Sequence, residues 1–321
     1  MQTELTRRLA IRHPLLLAPM GGVSGGVLAA AVTGAGGLGL IGAGYGERDW
    51  LERAFDAAGD ARVGVGFITW ALDQQPALLD AALARAPAAV MFSFGDCAPY
   101  IQPAREAGAN VLVQVRTVAE AEDAAAAGAD IIVAQGTEGG GHGGSRSTFG
   151  LVPAVVDAVA PLPVVAAGGI ADGRGLAAAL MLGAGGGLVG TRFYASTEAL
   201  GHASAKQRIV AAGGDDTLRT TVFDLVRGYA WPAHITARAL ANDFATRWHG
   251  REAALSADLA RQKAAYDDAD TRGDADTAVV FASEAADLVD AVTPAATIVE
   301  RMTQHADHVL ADHSNRVTRS T

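Results

Sequence analysis

One histidine in this chain stands in a setting that suits proton transfer. Residues 135–144 read Gln135-Gly136-Thr137-Glu138-Gly139-Gly140-Gly141-His142-Gly143-Gly144, and five of the six from 139 to 144 are glycine. Glycine in place of alanine costs ordered structure roughly 0.5–1 kcal/mol per residue. Such a loop is therefore a costly way merely to join two elements, and it points to close approach of another group, for which a planar ring is a good candidate. An imidazole with an unperturbed pKa of about 6.5 exchanges protons at cellular pH, so His142 is the candidate general base. A solvated histidine in a linker is the plainer alternative.

A second constellation offers backbone rather than side chains. Val164-Val165-Ala166-Ala167-Gly168-Gly169-Ile170 is followed by Leu188-Val189-Gly190-Thr191-Arg192. At the ends of the last two strands of a βα barrel, such residues often hold a phosphate on main-chain N–H groups. Tight turns without a ligand use the same small residues. Ser93 and Asp96 follow another apolar run and fall on the same expected face, either as substrate contacts or as an ordinary polar strand end. Cys97, the single cysteine, has no recognisable histidine partner and reads better as a small buried residue than as a nucleophile. The remaining histidines lack paired ligand spacing, so no metal site is expected. Two G-x-G-x-x-G matches occur, at Gly34/Gly36/Gly39 and Gly185/Gly187/Gly190. Neither follows a strand and opens a helix, as a dinucleotide site requires.

The elements that must position these groups are short apolar runs alternating with alanine-rich helical stretches. The runs are Leu15–Ala18, Leu38–Ile41, Val63–Ile68, Ala89–Phe92, Val111–Val115, Ile131–Ala134, Val164–Ala167 and Leu188–Gly190, eight in all. Continuous rather than alternating apolar strands are expected where a parallel sheet is covered on both faces. The pairs Gly34-Ala35, Gly108-Ala109, Gly128-Ala129 and Gly183-Ala184 each close a helical stretch before a strand, where glycine suits a left-handed C-terminus. Eight βα units predict a (β/α)8 TIM barrel over residues 1–199. Residues 200–283 are more charged, show no convincing strand pair, and read as a helical appendage over the pocket. Residues 284–321 read as a C-terminal helix from Glu284 to Val309, returning to the barrel, and a tail.

Composition narrows the partners. The 321 residues carry a formal net charge of −10 and only two lysines, Lys206 and Lys263, so the phosphate-neutralising surface needed for nucleic acid has no source. One cysteine excludes an internal disulfide and fits a reducing compartment, with the cytoplasm as the default. The uncharged stretch Pro14–Gly46 is long enough for a membrane span, but it contains eleven glycines and two prolines. It reads instead as strand, loop, helix and strand. Nothing at the N-terminus marks export.

Taken together, Leu17-Ala18-Pro19-Met20-Gly21-Gly22, Gly36-Gly37-Leu38-Gly39, the Gln135–Gly144 loop, Ala167-Gly168-Gly169-Ile170 and Gly190-Thr191-Arg192-Phe193 resemble the nitronate monooxygenase family in order and spacing. The resemblance covers roughly residues 10–200. It implies non-covalent FMN in a barrel, with an alkyl nitronate of the propionate 3-nitronate type and O2 as substrates; the expected assembly is a monomer or homodimer. By position, it implies that Met20 contacts the flavin through its backbone, with Gln135 and Gly140 beside the rings. Gly168, Gly169 and the turn Leu188, Val189, Gly190, Thr191 would hold the phosphate, and His142 would be the base. Two departures stand out. Gly66 lies where family members often carry asparagine, and Ser283 and Ala286 replace a common glycine pair. Flavin-dependent enoyl-ACP reductases and some quinone reductases have a similar glycine-histidine loop, so an NAD(P)H-dependent flavin reductase is the alternative.

Overall fold

The computed structural model describes residues 1–318. Each of the eight apolar runs forms a strand: β1 (Leu15–Leu17), β2 (Leu40–Gly42), β3 (Gly64–Ile68), β4 (Ala89–Ser93), β5 (Asn110–Val115), β6 (Ile131–Gln135), and, beyond a short β7 (Gly141–Gly143), β8 (Val164–Ala167) and β9 (Gly186–Val189). The eight pair in parallel in the order β1-β9-β8-β6-β5-β4-β3-β2. A parallel bridge between Leu16 and Leu38, with Leu17 N–H on the Leu38 carbonyl at 2.9 Å, joins β1 to the approach of β2. The result is the TIM barrel that the spacing of the runs predicts.

The continuous hydrophobicity of the strands has a direct cause. Successive side chains point to opposite faces of a strand, and both faces are covered. Ala89, Met91, Leu112, Ile131, Val133 and Val165 form an inner cluster with Leu5 and Leu9 of the N-terminal helix Glu4–Leu9, which plugs one end of the barrel. The alternate residues Val90, Phe92, Val111, Val113, Ile132 and Ala134 pack against the surrounding helices. Of the four Gly-Ala pairs, three place a left-handed glycine after a helix, at Gly108, Gly128 and Gly183. At the first, Gly34 ends the helix itself and Gly36 takes the left-handed turn.

Two expectations need correction. The segment 200–283 does contain a strand pair: β10 (Thr217–Thr220) and β11 (Thr236–Leu240) run antiparallel, and β11 also pairs with β7. The strands are only four and five residues long, with arginines among threonines and alanines, so their alternation is a weak signal. The segment also has its own small core, including Phe223, Phe244, Trp248 and Tyr266. The C-terminal helix begins at Ala295, not Glu284. A 3-10 turn spans Glu284–Leu288, and the helix proper runs Ala295–Thr318. Pro294 explains this, because proline is tolerated at a helix start and not in its interior. Ile298, Val299 and Met302 are buried, whereas Leu288 is 38% exposed. That helix packs on the helices Gly173–Met181 and Gly26–Gly34. Among the described residues, no helix is long and apolar enough to cross a membrane.

Candidate active site

The C-terminal ends of the barrel strands surround a cavity of about 590 Å³. Met20, Ser93, Gln135, Gly140, His142, Gly168, Gly169, Leu188, Gly190 and Thr191 all line it. Two candidates do not. Val189 belongs to the core facing the helices, because it alternates with Leu188 along β9. Asp96 is outside the lining; its carboxylate accepts the N–H of Ala98 at 3.0 Å, at the start of the helix Ala98–Glu106. Cys97 is buried, and burial pushes its thiol pKa up.

The floor is backbone. Gly168 and Gly169 have φ of +97° and +75°, and a Cβ at Gly168 would lie 2.8 Å from the Gly136 carbonyl. Only glycine holds this turn without strain. Among the described residues, the N–H groups of Gly168, Gly169 and Gly190 donate to no other protein group, which leaves a row of donors for an anion. A Cβ at Gly140 would lie 2.7 Å from the Ala282 backbone, so the glycine loop is pressed against the end of the appendage. Ser283 ties the two together: its hydroxyl donates to the Glu138 carbonyl at 2.7 Å, and its N–H donates to Thr191 Oγ1 at 3.0 Å. The position that departs from glycine thus acquires a structural bond.

Met20 lines the cavity, but its N–H donates to Ser24 Oγ at 2.6 Å, and its carbonyl accepts the Ser24 hydroxyl at 3.1 Å. Its backbone polar groups are thus engaged by Ser24 within the turn while the residue faces the cavity. Gly66 is equally constrained, since a Cβ there would meet Pro19 at 2.3 Å, and an asparagine would have to displace that ring.

A polar relay crosses the strand ends. The Ser93 hydroxyl donates to Gln114 Oε1 at 3.4 Å, Gln114 Nε2 donates to Gln135 Oε1 at 2.8 Å, and Gln135 Nε2 donates to the His142 carbonyl at 3.0 Å. Gln135 therefore fixes the backbone of the candidate base. Gln114 escaped the sequence reading, although a glutamine inside Val-Leu-Val-Gln-Val was a visible signal.

The remaining positioning groups come from the appendage. His142 pairs with Ala237 in the β7–β11 ladder. Arg219 and Arg238 both donate to the Thr137 carbonyl, at 3.1 and 3.0 Å. Asp224, on the helix Val222–Arg227, is 3% exposed and lies 2.9 and 3.0 Å from His142 Nε2 through its two oxygens. A buried carboxylate on one ring nitrogen holds the proton there and leaves the other nitrogen as the acceptor. That nitrogen is Nδ1. The imidazole stacks on Trp231, with centroids 3.5 Å apart and planes at 9°. Trp231 Nε1 donates to the Tyr45 hydroxyl at 3.1 Å, and burial pushes the Tyr45 pKa up to about 12. Asp224 too had a sequence signal, as a carboxylate embedded in Val222-Phe223-Asp224-Leu225-Val226.

Comparison with known proteins agrees with this architecture. The family model described as nitronate monooxygenase matches residues 2–63 and 68–305. The nitronate monooxygenase npaC of Metarhizium robertsii is 36% identical, over 93% of this chain and 92% of that protein. An indene-carboxyl-CoA dehydrogenase of Mycobacterium tuberculosis is 38% identical, over 70% of this chain and 64% of the relative. Among solved structures, FabK from Thermotoga maritima superposes with a TM-score of 0.85 at 33% identity, covering 98% of this chain and 99% of that one.

Proposed function

The chain belongs to the nitronate monooxygenase family, and from that premise we propose that it is an FMN-dependent oxidoreductase that converts alkyl nitronates and O2 to a carbonyl compound and nitrite. The observation that carries this reading is His142, held by Asp224 on one nitrogen and stacked on Trp231 at the wall of a glycine-floored cavity.

The residues present fit a flavin mononucleotide. The free N–H groups of Gly168, Gly169 and Gly190 suit its phosphate, and the Thr191 hydroxyl has its proton left to donate. Gln114 and Gln135 line the same cavity and would supply amide groups to the ring system in place of the contact that Gly66 cannot make. FMN, when bound, would supply the two-electron chemistry that links the substrate carbon to dioxygen.

The protein's own part is acid–base and geometric. With Nε2 held by Asp224, His142 Nδ1 takes the proton from the carbon bearing the nitro group when the substrate arrives as a neutral nitroalkane. The carboxylate then steadies the imidazolium, a division of labour familiar from hydrolase triads. A substrate that is already a nitronate needs no such step and uses His142 only for orientation. The β7–β11 ladder and the Gln135 bond keep the ring in place.

The likeness to a CoA-thioester dehydrogenase supports a second reading, in which NAD(P)H reduces the flavin and a thioester or quinone accepts the electrons. An anaerobic absorbance titration separates the two. Bleaching of bound flavin by propionate 3-nitronate, and not by NADH or NADPH, is expected; the reverse pattern would transfer the assignment to the reductase.

A further inference from the structure

The cavity wall contains a cation that none of the chemistry above uses. Arg227, at the end of the helix Val222–Arg227, lines the cavity, yet its NH1 is shielded from solvent and has no hydrogen-bond partner. No carboxylate among the described residues forms an ion pair with it. Its guanidinium lies 4.7 Å from the Tyr229 ring centroid and 5.9 Å from that of Tyr45. Those faces partly offset the charge, but they accept none of its N–H donors. Arg227 is half-buried, and a shielded N–H donor without an acceptor carries a desolvation cost, so the arrangement makes sense when a ligand supplies the acceptor. Of the carboxylates nearby, Asp224 is committed to His142, and Glu47 is exposed at the cavity edge.

Position tells what kind of anion this is. Asp224 and Arg227 are three residues apart on one helix, so their side chains rise from the same face about 5–6 Å apart. One reaches the base and the other the wall beside it. The rings between them, Tyr45 and Trp231, are in contact through their own hydrogen bond, leaving flat apolar walls. Arg227 and His142 line the same cavity, so one small substrate can present an anion to the first and its reacting carbon to the second.

We propose that Arg227 is the specificity-determining residue for a carboxylate on the substrate, set apart from the reacting carbon by a short chain, and that its forked donors receive that carboxylate in a bidentate manner. The assignment rests on the nitronate reading above. It makes Arg227 a binding group for the far end of the substrate, distinct from the phosphate floor at Gly168 and Gly169.

The test compares propionate 3-nitronate with propyl-1-nitronate, which has a methyl group in place of the carboxylate. A lost charge-assisted hydrogen bond is worth about 10- to 100-fold in binding. The wild-type preference in kcat/KM for the carboxylate substrate is expected to be of that order and to collapse in Arg227→Gln, with partial return in Arg227→Lys. Quenching of tryptophan fluorescence by succinate, a non-reacting analogue, is expected to be lost in Arg227→Gln, while FMN affinity stays within error of wild type. A preference unchanged in Arg227→Gln overturns the proposal. So does a loss of FMN affinity by a similar factor, which would assign the guanidinium to the cofactor's phosphate. If neither nitronate reduces the flavin, the reaction assignment fails, and succinate binding alone then decides whether Arg227 is an anion site.

Discussion

The barrel and the segment that follows it contribute different things to one cavity. The barrel offers surface: glycine turns, strand ends and a row of unbonded N–H groups, all on strands whose side chains are packed on both faces. The appended segment offers directed groups, namely Asp224 on the base, Trp231 against its ring, Arg227 on the wall, and β11 as the strand that holds β7 in place. On the reading proposed above, the floor that would hold the cofactor belongs to the barrel, and the groups that hold His142 in place belong to the appendage. A substitution in the packed strands or the glycine floor should act on stability or flavin retention, and one at His142 or at the appendage groups that hold it should act on turnover.

The largest effect expected from that division is at the histidine and its partner. His142→Ala should slow turnover of neutral nitroalkanes on the order of 10²-fold or more, while the purified protein keeps its flavin. Asp224→Asn should lower kcat in the same direction by a smaller factor, with KM and flavin content little changed, because the ring loses the carboxylate that orients it and balances its charge. Equal losses on neutral nitroalkanes and on preformed nitronates would show that proton removal is not what His142 does. A loss of flavin from Asp224→Asn would erase the distinction between the two regions.

The converse substitution lies in the barrel. Leu112 is fully buried in the inner cluster, and Leu112→Ala should cost about 2–5 kcal/mol of stability through lost burial and a residual void. Denaturant unfolding measures that cost, and turnover per folded molecule should remain in place. If kcat falls in parallel with stability, the barrel does more than carry the floor.

The same contrast explains what the sequence made legible. The eight strands announced themselves because packing on both faces demands uninterrupted apolar runs, and the glycine turns did so because few pressures other than close approach favour glycine so densely. The β10–β11 pair did not, since four or five residues of threonine, arginine and alanine carry little periodicity. Gln114 and Asp224 are intermediate cases. Each is a polar residue inside an apolar run, a pattern that requires a buried partner, but the partner is named only once the fold brings Gln135 and His142 beside them. Gly66 marks the opposite situation, where the departure from the family pattern is steric and becomes readable only when Pro19 is seen against it.

The smallest expected effect asks whether the two regions unfold as one body. Burial pushes the hydroxyls of Tyr194 and Tyr266 up to about 12 from an ordinary 10. Tyr194 belongs to the core shared by the strands and helices, and Tyr266 to the small core of the appendage. A raised folded-state pKa means that the neutral form is favoured in the fold. The stabilisation is therefore complete below pH 10 and is lost as pH climbs toward 12. Leu240 and Val280 of the appended segment lie in the barrel's own cluster, so the two cores are continuous at that edge. Alkaline titration followed by tyrosinate absorbance should accordingly show both hydroxyls ionising in one step, together with the loss of near-ultraviolet ellipticity. An earlier step that is abolished by Tyr266→Phe would show the appendage opening while the barrel stays folded, and would make it a separable unit over the cavity.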